Sequence, residues 1–254
     1  MPEFDWRSPD SFKSLENAEI TEIAWVGLRM NVDYQRDYEA IIANSSDDRG
    51  IQEEVGPLLS PMTRSGRHEQ TIFWAPEVLP TVVPVAVTAS TPGQSPTPQP
   101  RLDLASGQVR RAADGWHAVL QIGSAEHRIW SKQPLTAGAH YAAELPLDRD
   151  FEARAHAATR LWRAMNGRAP GPPFHRLPKQ RRERLSAALR AAAAYLAGAT
   201  YRSIAEALFG KARISDRAWK THDLRSRTRR LVQSGLAFVR GGYRKLLRPR
   251  RRDG

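Results

Sequence analysis

From Ser186 the sequence runs SAALRAAAAYLAGATYRSIAEALFGKARISDRAWKTHDLRSRTRRLVQSGLAFVRGGYRKLL. This stretch constrains folding more than any other, because apolar residues recur at helical spacing while arginines fill the intervening positions. The spacing predicts a helix over 179–196 with Leu185, Leu189, Ala192 and Leu196 on one face, and Arg181, Arg182, Arg184 and Arg190 elsewhere. Four consecutive alanines from Ala191 favour helix, and Gly198 stops it. Thr200 is then expected to cap a second helix that turns Ile204, Ala205, Leu208 and Phe209 inward and ends at Gly210. After the turn KARIS a third helix is expected over 222–239, with Thr221 as N-cap and Leu224, Thr228, Leu231 and Gly235 as its apolar stripe. Gly241 and Gly242 end it. The small Ala205 lets the next helix cross closely, and the three helices read as a helix-turn-helix.

Charge points to the partner. Residues 151–254 hold 26 Lys/Arg against 6 Asp/Glu, a net of +20, whereas residues 1–150 hold 13 against 21, a net of −8. A half so basic fits a polyanion, and a lone helix with an arginine-bearing outer side fits the major groove of double-stranded DNA. Guanidinium groups hold phosphates through paired hydrogen bonds and also read the O6 and N7 of guanine. The N-terminal end of such a helix faces the bases, so His222, Arg225, Ser226 and Arg229 are expected to contact them. Arg202, Lys220, Thr221, Arg227, Arg230, Tyr243, Arg244, Lys245 and Arg248 are expected on the DNA backbone, with the RPRRR tail adding salt-dependent attraction.

The acidic half opens with short helices. Phe12 and Leu15 mark one after Ser8-Pro9, Ile20, Ile23, Ala24 and Leu28 mark a second over 20–30, and Tyr34, Tyr38, Ile41 and Ile42 mark a third over 33–43. Residues 44–70 read as a polar link. TIFWAPEVLPTVVPVAVTA from Thr71 is β-branched but carries three prolines, which predicts edge strands or extended packing anchored by Trp74. STPGQSPTPQP, Ser90–Pro100, is a low-complexity linker. Short alternations broken by SG, DG, GS and TAG then predict three or four antiparallel strands, with Trp116, Ala118 and Leu120 in one phase. Asp148 is expected to cap a helix whose stripe is Phe151, Ala155, Ala158, Leu161, Trp162 and Met165, closed by Asn166-Gly167. RAPGPPFHRLP, Arg168–Pro178, cannot be a regular helix and reads as a rigid linker, the alternative being an extended arm whose Arg168, His175 and Arg176, with Lys179, reach a DNA groove.

The expected fold is α+β: a small N-terminal helical unit (1–45), a mainly-β region (71–147) containing the Pro-rich linker 90–100, a connecting helix and linker (148–178), and a C-terminal helix-turn-helix domain with a basic tail (179–254).

Catalysis finds no support. The chain lacks cysteine, its histidines have no metal-ligand spacing, and no P-loop, GxSxG or dinucleotide fingerprint appears. No cofactor is expected. No apolar run suits a membrane, and Glu3 and Asp5 stand where a leader would be basic, so a cytoplasmic, nucleoid-associated location is expected. The sequence-specific reading competes with a DNA-bending recombination accessory and with a non-specific nucleic-acid binder.

The segments RRERLSAALRAAAAYLAGATYRSIAEALFG and WKTHDLRSRTRRLVQSGLAFVRGGYRKLL resemble the DUF2285 family of proteobacterial proteins. The opening DWRSPDSFKSL with IAWVGLRMNVDYQRDY resembles the DUF6499 domain often joined to it. The family stretch YREIAEALFG corresponds to Tyr201–Gly210 and WKTSSLRDR to Trp219–Arg227, with His222-Asp223 departing from small polar residues. The resemblance implies a transcriptional activator, as in excision activators of rhizobial integrative conjugative elements or a regulator of a type VI secretion system. It further implies a C-terminal DNA-binding part, a small antiactivator protein as partner, contact with RNA polymerase and a homo-oligomeric habit.

Overall fold

Helices form the two flanks of the sequence and strands its middle, giving an α+β fold in a computed structural model that describes residues 5–8, 10–45, 71–88, 101–211, 219 and 223–248. The contacts divide the chain into two units: residues 1–39 with 176–247, and residues 40–175 with 248–254.

The first unit is helical. Its N-terminal part holds α1 (Asp10–Lys13), a 3-10 turn over Ser14–Glu16, α2 (Ile20–Arg29) and the start of α3 (Val32–Ser45). Glu19 and Glu22 close α2 with a reciprocal capping box. Phe12, Leu15, Ile23, Ala24 and Leu28 are buried, as their spacing predicts. Its C-terminal part holds α5 (Lys179–Leu196), α6 (Tyr201–Phe209), α7 (Asp223–Ala237), a π-helical turn over Phe238–Gly242 and α8 (Tyr243–Leu247). Thr200 caps α6 by accepting the Ser203 amide hydrogen at 3.2 Å.

These two parts were expected to be separate, yet they share one unit. The Ser186 hydroxyl donates to the Phe12 carbonyl at 2.8 Å. The Arg190 guanidinium donates to the carbonyls of Trp6 (2.7 Å) and Arg7 (3.1 Å). The stretch after Gly241, expected as a clamp and tail, continues as α8 and buries Tyr243, Leu246 and Leu247 beside α2. The cause is size: helices of 4 and 10 residues cannot bury their apolar stripes by themselves.

The second unit is a five-stranded mixed sheet of β1 (Val83–Val87), β2 (Gly107–Ala112), β3 (Gly115–Ile122), β4 (Ala125–Ser131) and β5 (Tyr141–Ala143), in the order β2-β3-β4-β1-β5. The β2–β3 and β3–β4 pairs are antiparallel hairpins, the first turning at Ala113-Asp114, one residue before the expected Asp114-Gly115, and the second at the expected Gly123-Ser124. β1 corrects the edge-strand expectation: it lies between β4, to which it is parallel, and β5. Its ladders are short and staggered, with Val83 and Pro84 facing β4 and Val85–Val87 facing β5, so a proline without an N–H breaks no long ladder. The Pro84 carbonyl still accepts the Glu144 amide hydrogen at 2.8 Å.

One sheet face packs Val83, Val85, Ala118, Leu120 and Ile129 against Ala157 and Leu161 of α4 (Phe151–Met165). The other lies under the segment after Thr71, where Arg110 stacks over Phe73 and Arg128 donates to the Ile72 carbonyl. Trp74 is buried, as expected of an anchor. Asp148 accepts from Arg154 at 2.5 Å and from the Asp150 amide, bonds that hold its carboxyl below the usual range. The helix cap itself falls at Asp150. Burial, reinforced by Arg160, pushes the His127 imidazole down to about 4.

Candidate nucleic-acid interface

α7 owes its orientation to one crossing. A Cβ at Gly235 would stand 2.1 Å from the Ala188 carbonyl oxygen and 2.8 Å from the Ala192 methyl, so the α7 backbone meets the α5 backbone there with only the Ala192 methyl beside it. Thr228 and Val232 complete the buried side, and Leu224 and Leu231 border it. The Thr228 hydroxyl donates to the Leu224 carbonyl at 2.7 Å, which satisfies it without a partner from outside the helix. With this side fixed, the rotation of about 100° per residue turns the remainder outward.

Arg225, Ser226, Arg227, Arg229, Arg230, Gln233 and Ser234 are exposed on α7. Four arginines accompany a single carboxylate, Asp223, whose side chain accepts the Leu224 amide hydrogen at 2.8 Å. Among the residues expected to contact bases, Arg225, Ser226 and Arg229 therefore share an accessible helix, and His222 lies outside the described residues. Lys220 and Thr221 also lie outside them.

The expected backbone contacts separate into three kinds. Arg230, Arg244 and Lys245 are exposed. Arg227 stacks over the Phe209 ring of α6 at 4.9 Å, and Arg202 pairs with Glu206 at 3.1 Å, so both are positioned by α6. Tyr243 and Arg248 are engaged within the protein. Tyr243 is 4 % exposed, because α8 turns its ring inward, and Arg248 donates to the Glu77 carbonyl and stands 3.9 Å from Asp150.

The sequence reading missed Arg240, exposed in the π-helical turn. Gly241 has φ +124, a left-handed value that an L side chain rarely adopts, and it redirects the chain into α8. A helix read as ending at this glycine pair gives no signal that the basic residue just before it is exposed in a π-helical turn.

Among the described residues, no group of three or more His, Asp or Glu side chains is placed to hold a metal ion. No helix among them is long and apolar enough to cross a membrane.

Residues 144–248 match a family described as a type VI secretion system transcription factor DNA-binding domain. Residues 5–56 match a proteobacterial transcriptional regulator-like domain. No curated protein matches the chain. The chain thus carries a DNA-binding domain of transcription-factor type beside a regulator-like domain, and both matched families are regulatory rather than catalytic.

Proposed function

We propose that the chain is a sequence-specific double-stranded DNA-binding regulator that reads the major groove with α7. The observation that carries this is the exposure of Arg225, Ser226 and Arg229 on a helix whose other side is locked at Gly235, within the segment matching a DNA-binding domain. In this reading Arg225, Ser226 and Arg229, with His222, contact bases. Lys220, Thr221, Arg227, Arg230, Arg244 and Lys245 hold phosphates, and Arg202 supports them through α6. The helical unit is the reader and the sheet unit a separate module.

The likeness to DUF2285 and DUF6499 proteins favours an activator of mobile-element excision or transfer genes. The acidic half then contacts RNA polymerase or receives a small antiactivator protein, and the chain acts as a homo-oligomer bound to the nucleoid.

A genome-wide footprint of the parent chain and of Arg225→Ala and Arg229→Ala tests the reading. Discrete promoter sites should appear for the parent, and each substitution should weaken binding there by about 1–3 kcal/mol. Promoter occupancy unchanged in the double variant overturns the assignment. Footprints confined to recombination sites favour the DNA-bending accessory, and binding that vanishes uniformly with rising salt favours the non-specific binder.

A further inference from the structure

α4 has two sides of opposite character. Ala153, Ala157 and Leu161 are buried on the inner side. The outer side carries Thr159, Trp162, Arg163 and Asn166, all exposed. Trp162 is 49 % exposed, although tryptophan is highly buried on average. The helix stops at Gly167, where the Arg168 amide donates to the Arg163 carbonyl at 2.9 Å and brings the Arg168 guanidinium to 5.2 Å from the indole centroid. A cation thus rests on the ring of an exposed aromatic.

The surrounding charge selects the partner. Within the same unit no Asp or Glu occurs between Glu152 and His175, while Arg160, Arg163 and Arg168 fall in that interval besides Arg154, which is buried against Asp148. A second copy of this side would set like charges against each other, and an apolar protein surface would leave Arg163 and Arg168 unpaired. A phosphodiester backbone meets every group: guanidiniums for phosphate oxygens, an indole N–H as donor and an indole face for deoxyribose.

We propose that the outer side of α4, centred on Trp162 with Arg163 and Arg168, is a second DNA-contacting surface that grips the backbone without regard to sequence. This rests on the DNA-binding reading but concerns a different unit from α7.

The full chain is titrated with a random-sequence duplex across a salt series, using the parent, Trp162→Ala, Arg163→Ala/Arg168→Ala and Arg225→Ala/Arg229→Ala. The α4 arginine pair should lower affinity about tenfold near ~0.1 M salt and reduce the slope of log affinity against log salt by about two. Trp162→Ala should lower affinity severalfold with little change in slope, and thermal melts should match the parent. If both α4 variants bind like the parent while the α7 variant is weakened, the second surface is wrong and the reader stands. If the parent itself fails to bind the random duplex, the second surface falls, and the reader is decided by the promoter footprint alone. If Trp162→Ala alters sedimentation of the free protein while duplex affinity and salt slope are kept, the surface joins copies and the proposal is overturned.

Discussion

The two units bury apolar faces with opposite use of the chain. In the sheet unit most partners are sequence neighbours, since β2, β3 and β4 pair through two-residue hairpin turns. In the helical unit Ser186 meets Phe12 and Arg190 meets Trp6, separations of 174 and 184 residues. Closing so long a loop carries an entropy cost that only late, long-range packing offsets. The sheet unit is therefore held by local pairing plus α4, whereas the helical unit needs both of its distant segments at once.

Removing residues 1–39 tests this contrast most severely. Trp6, Phe12, Leu15, Ile23, Leu28 and Met30 are buried there, at about 1.5–3 kcal/mol each, a sum comparable with the whole stability of an ordinary domain, about 5–15 kcal/mol. The remaining helices should lose their cooperative melt while the strand amides keep hydrogen-exchange protection. A truncated protein with the parent's helical transition would break the comparison.

Gly235→Ala acts on the same unit from within. Its new methyl has no room at the Ala188 carbonyl, so a cost of about 3 kcal/mol or more is expected as a lower denaturation midpoint of the helices alone. An unchanged midpoint would mean that α5 and α7 do not cross there.

His127 probes the sheet unit instead. Burial lowers its pKa from 6.5 to about 4, so the unfolded chain binds the proton more readily between those values. The stabilisation is complete above about pH 6.5 and is lost as pH falls toward 4, up to about 3 kcal/mol in all. Strand amides should lose exchange protection between pH 6.5 and 5, and His127→Phe should flatten that dependence. Identical slopes in the two proteins would assign the acid sensitivity elsewhere.

Ser186→Ala is the mildest test. It removes one buried hydrogen bond, from the Ser186 hydroxyl to the Phe12 carbonyl, for about 1 kcal/mol. Its effect should merge with that of the 1–39 deletion rather than add to it, because both act through one contact.

Much of the local structure was legible from periodicity. α2 and α6 follow their apolar stripes, and Thr200 caps where its hydroxyl predicts. In α5 the expected face holds only at Leu189 and Ala192: Leu196 is exposed, and the buried side is made mostly of alanines. The outward arginines of α7 were legible because Thr228 and Gly235 mark the opposite side. What was hidden lay in long-range association. Arg190 reads as one more solvated arginine, yet burial lowers its pKa and its guanidinium satisfies two carbonyls near the N-terminus. Tyr243 reads as a basic-tail aromatic because α8 is too short, at five residues, to display a period. Pro84 argued for an edge because its missing N–H is local, whereas the staggered ladders that accommodate it are not.

The docking of α1 and α2 onto α5 and α8 also has a consequence during synthesis. Ribosomes add about 5–20 residues per second, so residues 5–39 wait roughly 10–30 s before their partners begin to emerge. Through that interval Phe12, Ile23 and Leu28 have no surface to cover them, which makes the nascent chain, rather than the finished protein, the state most dependent on chaperones.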